Sequence, residues 1–182
     1  MDNLNKLVEK MGLGQNIEID DIPNIDLYMD QVIQLFESKF ESTKRDKDDK
    51  ILTKTMINNY AKGKLFFPIK NKKYSKEHLI LISLIYQLKG SLSISDIKTT
   101  LDGINEQAVS GEMDLEVFYR SYSSLYKLAV EDFKEALPKR LDEVKEEVAG
   151  SDELLEKTLL IASLVNISNL YRRAAEKLVD EL

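Results

Sequence analysis

Apolar residues recur every three or four positions along much of this chain, and that spacing predicts amphipathic helices. The two longest runs lie in the C-terminal part, from Leu115 to Val148 and from Leu154 to Leu178. Pro138 lies inside the first run, so the pattern fits either one long helix or two helices that meet there. Only 3 prolines and 7 glycines interrupt the 182 residues, and 43% of the residues are apolar. We therefore expect a folded, mostly helical, all-α protein.

The N-terminal half carries further helix signals. Pro23, followed by Asn24 and Asp26, predicts the start of an amphipathic helix of about four to five turns. The run Glu41–Lys50 contains no apolar residue, which indicates an exposed connection. Thr53 is a plausible N-cap for a short helix that reaches Lys62, and we expect the following glycine, Gly63, to supply a left-handed C-terminal residue.

Two more helices are predicted after that. Ser75 caps the first, whose stretch from Leu79 to Leu88 is apolar nearly all round and so belongs at the centre of a domain. Ser93 and Asp96 form a capping-box pattern that opens the second, a short helix expected to end at Gly103.

A small β-hairpin is predicted between residues 66 and 74. Phe66, Phe67, Ile69 and Tyr74 could anchor two short strands on the core. The residues between them would form a basic tip, made of Lys70, Asn71, Lys72 and Lys73.

Charge is distributed unevenly along the chain. The net charge is -6, yet residues 44–89 hold twelve bases and four acids, which gives +8. Residues 1–43 sum to -6 and residues 102–182 to -8. Within the basic part, Lys54 to Lys76 contains seven lysines and no acid. Such a stretch is either a solvated surface or a site for an acidic partner such as nucleic acid.

The short helix after Thr53 has the residue types that read DNA. Asparagine can bind adenine, threonine can touch the thymine methyl or a phosphate, and lysine binds guanine or the backbone. A spacing of four brings these groups onto adjacent rows of one helix face. The candidate groove contacts are Lys54, Thr55, Asn58, Asn59 and Lys62, and the candidate phosphate contacts are Lys64, Lys70, Lys72 and Lys73.

The order of these elements resembles the DNA-binding domain of the MerR family of winged-helix regulators. The matching parts are the helix with Tyr60 and the following Gly63, the wing closed by Tyr74 and Ser75, the leucine-rich helix, and the run Ser91–Lys98. The resemblance implies a winged helix-turn-helix with a small β-hairpin wing. The chain departs from that family in its longer charged connection and its shorter, lysine-bearing wing.

A longer part of the chain resembles a bacterial family described as domain of unknown function 1836. The resemblance lies in residues 22–31, 48–60 and 73–79, and it spans roughly residues 20 to 105. Membership implies the same MerR-like fold and no particular activity.

The sequence gives little support to an enzyme. The chain has no cysteine, and its single histidine, His78, follows Glu77 at a predicted helix start, where capping or packing is the commoner role. The carboxylates of the polar connection lack calcium-loop spacing. We expect no catalytic residues, no metal and no cofactor. Without a secretory signal or a spanning segment, we expect a cytoplasmic protein that does not enter a membrane.

These inferences combine into an N-terminal extension (1–19), a MerR-like winged-helix domain (20–102) and an acidic C-terminal helical domain (103–182). The expected function is a DNA-binding transcriptional regulator that binds double-stranded DNA and forms a homodimer through its C-terminal helices. One alternative is a protein-protein adaptor whose basic face binds an acidic partner. Another is a module that senses a small-molecule effector among the C-terminal aromatic residues, which are Phe118, Tyr119, Tyr122, Tyr126 and Phe133.

Overall fold

The structure is a computed structural model that describes residues 2–150 and 152–182. The protein is mostly helical, as predicted. In the described residues the helices are α1 (Asp2–Lys10), α2 (Met29–Phe40), α3 (Lys54–Lys62), α4 (Lys76–Leu88), α5 (Ile94–Ser110), α6 (Leu115–Glu147) and α7 (Glu153–Val179). Two short strands, β1 (Leu27–Tyr28) and β2 (Lys73–Tyr74), form one antiparallel sheet.

Helix α4 lies at the centre of the molecule. Every residue from His78 to Ile85 is buried, which the uninterrupted apolar sequence predicts. The buried core that surrounds α4 extends from Ile17 to Tyr119, so it includes the start of α6. Helix α5 is continuous across residues 102 and 103, and the two proposed domains therefore share a helix.

The small sheet differs from the predicted hairpin. Residues 73–74 do form a strand, but this strand pairs with Leu27–Tyr28, in the register Leu27 with Tyr74 and Tyr28 with Lys73. On its other side there is only an isolated bridge between Lys70 and Lys73. Phe66 is buried, so the segment before the tip packs on the core instead of pairing as a strand.

Two helix boundaries also differ from expectation, and the structure decides between the two alternatives for α6. Helix α2 begins at Met29 instead of near Pro23, because Leu27 and Tyr28 are used as a strand. Helix α5 passes through Gly103 and ends at Gly111, whose φ of 78° supplies the left-handed cap. Helix α6 is a single helix of 33 residues that contains Pro138.

The segment before the sheet is fastened by tyrosines of α6. Tyr119 is fully buried, and its hydroxyl donates to the carbonyl of Ile17 at 2.7 Å. The same hydroxyl lies 2.7 Å from the hydroxyl of Ser83 in α4. Two turns further along α6, Tyr126 donates to the carbonyl of Leu13 at 3.0 Å. The N-terminal segment is thus hydrogen-bonded directly to α6 and is linked to α4 through the Tyr119 hydroxyl.

Helices α6 and α7 form a hairpin that continues beyond the core. Leu137 and Val144 of α6 are buried in it. Helix α7, in contrast, contains no buried residue. None of the described helices is both long enough and apolar enough to cross a bilayer.

We predict that Tyr119→Phe destabilises the protein by about 1–3 kcal/mol, because it leaves the Ile17 carbonyl and the Ser83 hydroxyl buried without their partner. Chemical denaturation monitored by circular dichroism measures the change. Tyr171→Phe is the matched control, since Tyr171 is 76% exposed and should lose almost nothing. Equal, small losses in both variants would contradict a structural role for the Tyr119 hydroxyl.

Candidate nucleic-acid interface

Helix α3 packs on the core through one side and presents its polar side to solvent. Ile57 and Tyr60 are buried. At 100° per residue the five predicted groove contacts occupy an arc of about 140° on the opposite side. All five are exposed, and they are Lys54, Thr55, Asn58, Asn59 and Lys62.

The two ends of α3 are fixed by different interactions. The hydroxyl of Thr53 accepts a hydrogen bond from the Met56 amide at 3.1 Å, which confirms the predicted N-cap. At the other end the left-handed residue is Lys64, with φ 56°, while Gly63 has φ -74°. A side chain at 63 would be crowded, because a Cβ there would lie 2.7 Å from the buried Leu65 side chain. The expectation of a left-handed Gly63 is therefore wrong.

The predicted basic tip forms a tight two-residue turn. Asn71 and Lys72 have φ values of 51° and 58°, and the Lys73 amide donates to the Lys70 carbonyl at 2.9 Å. Positive φ at both central positions is the pattern of a type I′ turn. Lys70, Asn71 and Lys72 are exposed and Lys73 is half-buried. The turn thus places three lysines within four residues.

The basic helix and the basic tip both contact the start of α2. Lys54 forms a salt bridge of 2.8 Å with Asp30, and the Lys73 ammonium lies 5.2 Å from the centre of the Tyr28 ring. Tyr28 and Asp30 are two residues apart, so one short stretch of chain connects the beginning of α3 with the base of the tip. Neither residue was singled out from the sequence, because each acts through a partner distant in the chain.

Most of the predicted lysines have no acidic partner. Within the described part of the chain, no carboxylate lies within 4.0 Å of the ammonium groups of Lys62, Lys64, Lys70, Lys72 or Lys73. Lys54 is the exception, since Asp30 partly neutralises it. The positive charge of this surface is therefore available to an external anion.

The charged connection between α2 and α3 is held in place by Glu37. Its carboxylate forms a salt bridge of 2.6 Å with Lys44 and accepts the Ile51 amide at 3.0 Å. The hydrogen bond from Lys44, opposed by partial burial, lowers the pKa of Glu37 below its ordinary value. Both ends of the connection are thereby attached to α2, close to the start of α3.

His78 fastens the segment that leads into the tip. Its Nε2 donates to the Phe67 carbonyl at 3.1 Å, and its Nδ1 accepts the Ser75 amide at 3.1 Å, which assigns the neutral tautomer. The ring packs 4.2 Å from that of Phe67. Burial lowers the pKa of His78 below its ordinary value. The histidine is therefore a structural cap, in agreement with the sequence-based preference.

A cleft of about 580 Å³ lies between the end of α3, the segment 64–69 and α5. Asn105 of α5 donates to the carbonyls of Leu65 and Leu101 at 3.0 and 2.9 Å. Its side-chain oxygen is buried and has no hydrogen-bond partner. Lys64 and Ile69 line the same cleft. Nothing in the sequence distinguished Asn105 from the other polar residues of its helix.

The aromatic residues considered for effector binding are engaged in packing. Tyr119 and Tyr122 stack with their ring centres 5.6 Å apart. The hydroxyls of Tyr119 and Tyr126 bind the N-terminal segment. Burial raises the pKa of Tyr122 to about 12. In the described residues, no group of three or more histidine, aspartate or glutamate side chains is placed to hold a metal ion.

The protein is thus a helical protein with a basic helix and a basic turn that both contact the start of α2, and with a hairpin formed by α6 and α7. The model of a family described as domain of unknown function (DUF1836) matches residues 17–122, which is more than half of the chain. The chain therefore belongs to this family. The match begins and ends close to the limits of the buried core. A search of curated proteins and a search of solved structures each found no match.

We predict that the protein loses stability as pH falls from 7 to 5. The folded pKa of His78 lies below its unfolded value of about 6.5, so the stabilisation is complete above that value and decreases as pH falls. Urea denaturation at several pH values tests this. His78→Gln should be less stable at pH 7 and should show a smaller dependence on pH between 5 and 7. An unchanged dependence in that variant would assign the effect to other groups.

Proposed function

We propose that this protein is a DNA-binding transcriptional regulator of the MerR-like winged-helix type, which binds double-stranded DNA as a dimer joined by its C-terminal helices. The observation that carries the proposal is the polar side of α3, where two asparagines, a threonine and two lysines are exposed together. Helices that enter the major groove use side chains of these types.

The basic turn supports the same proposal. Its lysines have no carboxylate within salt-bridge distance in the described residues, and the Lys73–Tyr28 contact places its base next to the start of α2. In the proposed complex α3 lies in the groove, and Lys64, Lys70, Lys72 and Lys73 bind the flanking phosphates. Asp30 reduces the contribution of Lys54 to DNA affinity, because DNA must compete with the salt bridge between Lys54 and Asp30.

The acidic helices fit a regulator of this kind. Residues 102–182 carry a net charge of -8, which repels phosphate and keeps the α6–α7 hairpin away from the nucleic acid. The positive charge suited to DNA is therefore concentrated in α3 and the basic turn, and the C-terminal helices do not share it.

Replacing Lys70, Lys72 and Lys73 by glutamate should abolish or strongly weaken binding to labelled duplex DNA. For wild type, the logarithm of affinity should fall linearly with the logarithm of salt concentration, and the slope should shrink by about 1 for each phosphate-binding lysine lost. Fluorescence anisotropy at several salt concentrations gives both quantities.

The matched control replaces Lys134, Lys139 and Lys145 of α6 by glutamate, with the same change in net charge. This variant should retain most of its affinity. No binding of wild type at low salt would contradict the proposal and favour an adaptor that binds an acidic protein. Equal loss in both variants would show only a response to net charge.

A second candidate function is small-molecule sensing, and the cleft beside Asn105 is the observation that favours it. Its volume of about 580 Å³ lies in the range of ligand sites. Aromatic side chains of Phe66 and Phe67 line the cleft, and the ammonium group of Lys64 beside them favours a carboxylate. A small aromatic acid combines these features.

Indole-3-carboxylate is a suitable probe, and at ten times its dissociation constant it should raise the melting temperature by about 3 °C. Ile69→Trp should abolish the shift by filling the cleft. Ile25→Trp is the control, since Ile25 is 68% exposed and does not line the cleft. The absence of a shift in wild type would contradict this candidate, and the same shift in all three proteins would show binding elsewhere.

A further inference from the structure

The two-stranded sheet has one residue of each strand on its outer face. Leu27 and Tyr74 are paired and buried, so they form the inner face. Successive side chains of a strand point to opposite faces, and the second pair, Tyr28 with Lys73, therefore lies on the outer face. Tyr28 is 55% exposed and Lys73 is half-buried. An aromatic ring and an ammonium group thus share the outer face of the sheet, at the base of the basic turn.

The Tyr28 ring provides a contact for the Lys73 ammonium group. The ammonium nitrogen lies 5.2 Å from the ring centre, within the range of a cation–π contact. In the described part of the chain no carboxylate lies within 4.0 Å of this nitrogen. The backbone of Tyr28 is fixed by its pairing with β2 and by its amide, which donates to Oε1 of Gln31 at 2.9 Å. The ring is therefore attached to an ordered part of the chain.

The two lysines that contact the start of α2 differ in how much of their charge remains available. Lys54 is bound to Asp30, whose carboxylate opposes its charge. The ring of Tyr28 has no net charge, so it orients Lys73 without neutralising it. A long side chain that is already ordered loses less conformational entropy when it binds a phosphate. An aromatic partner therefore suits an anion-binding lysine better than a carboxylate does.

We propose that Tyr28 is a positioning residue of the DNA surface, whose ring holds the Lys73 ammonium group in place for a phosphate. The inference rests on the proposed function, in which Lys73 binds the DNA backbone beside the groove that receives α3. It adds a residue that lies outside the lysine-rich stretch from Lys54 to Lys76. Because Tyr28 acts through Lys73, its substitution should have no effect once the Lys73 charge is absent.

A double-mutant cycle, measured by fluorescence anisotropy with labelled duplex DNA, tests the inference. Tyr28→Leu removes the ring and should weaken binding about two- to fivefold, which is the preference that an exposed cation–π contact supplies. Lys73→Met keeps the length of the side chain and removes its charge. In the Lys73→Met protein, Tyr28→Leu should cause no further loss. Independent, additive losses would overturn the inference.

Two further measurements distinguish positioning from a general structural role. Tyr28→Leu leaves the Lys73 charge in place, so the salt dependence of affinity should keep the wild-type slope, whereas Lys73→Met should lower the slope by about 1. Tyr28→Phe keeps the ring and should retain wild-type affinity. An equal loss in Tyr28→Phe and Tyr28→Leu would assign the effect to the hydroxyl and contradict the positioning role.

Tyr171→Leu is the matched control for the loss of a tyrosine. Tyr171 is 76% exposed on α7, so this variant should bind DNA as wild type does. A similar loss in Tyr171→Leu and Tyr28→Leu would show that the effect is not specific to the sheet, and it would reject the inference.

Nuclear magnetic resonance in the absence of DNA separates this inference from the proposed function. The Tyr28 ring should shift the ε-methylene protons of Lys73 upfield, and Tyr28→Leu should abolish that shift. A wild type that binds DNA without showing the shift would reject the role of Tyr28 and retain the role of the basic surface. A wild type that shows the shift and binds no DNA would reject the proposed function, and with it the positioning role.

Discussion

The burial of α4 is the constraint on which the rest of the structure depends. A helix that is apolar nearly all round must be covered on every side. Helix α6, the N-terminal segment and the strand pair provide part of that cover, and α3 adds Ile57 and Tyr60 to the same core. Only one side of α3 packs on this core, so its polar side remains exposed to solvent. The candidate DNA surface is thus the reverse side of a core-forming helix.

Sequence patterns predicted a helical element well where the residues that define it lie close together in the chain. The Thr53 cap, the capping box at Ser93 and the apolar helix α4 depend on residues within one or two turns of each other, and all three are present. The nine candidate DNA contacts were chosen in the same way. The structure shows eight of them exposed, and Lys73 half-buried.

Several features that local patterns missed involve distant partners. The local sequence places Leu27 and Tyr28 in the helix that follows them. They form a strand instead, because they pair with β2, which lies far along the chain. Neither the Asp30 partner of Lys54 nor the unpaired oxygen of Asn105 can be found without knowing which helices are neighbours.

The segment from Lys64 to Lys73 connects these observations. Its first residue is held in a left-handed conformation, its centre is bound to His78 through the Phe67 carbonyl, and its last residue pairs with β1. The Asn105 amide binds the same segment through the Leu65 carbonyl. Three attachments to α4, α5 and the sheet therefore fix the base of the basic turn, while Lys70, Asn71 and Lys72 project from it. Such a turn loses little conformational entropy when it meets a phosphate, since its backbone is already ordered. A phosphate-binding turn requires a rigid base and unpaired charges at its tip. This arrangement follows from the way the segment packs against the core.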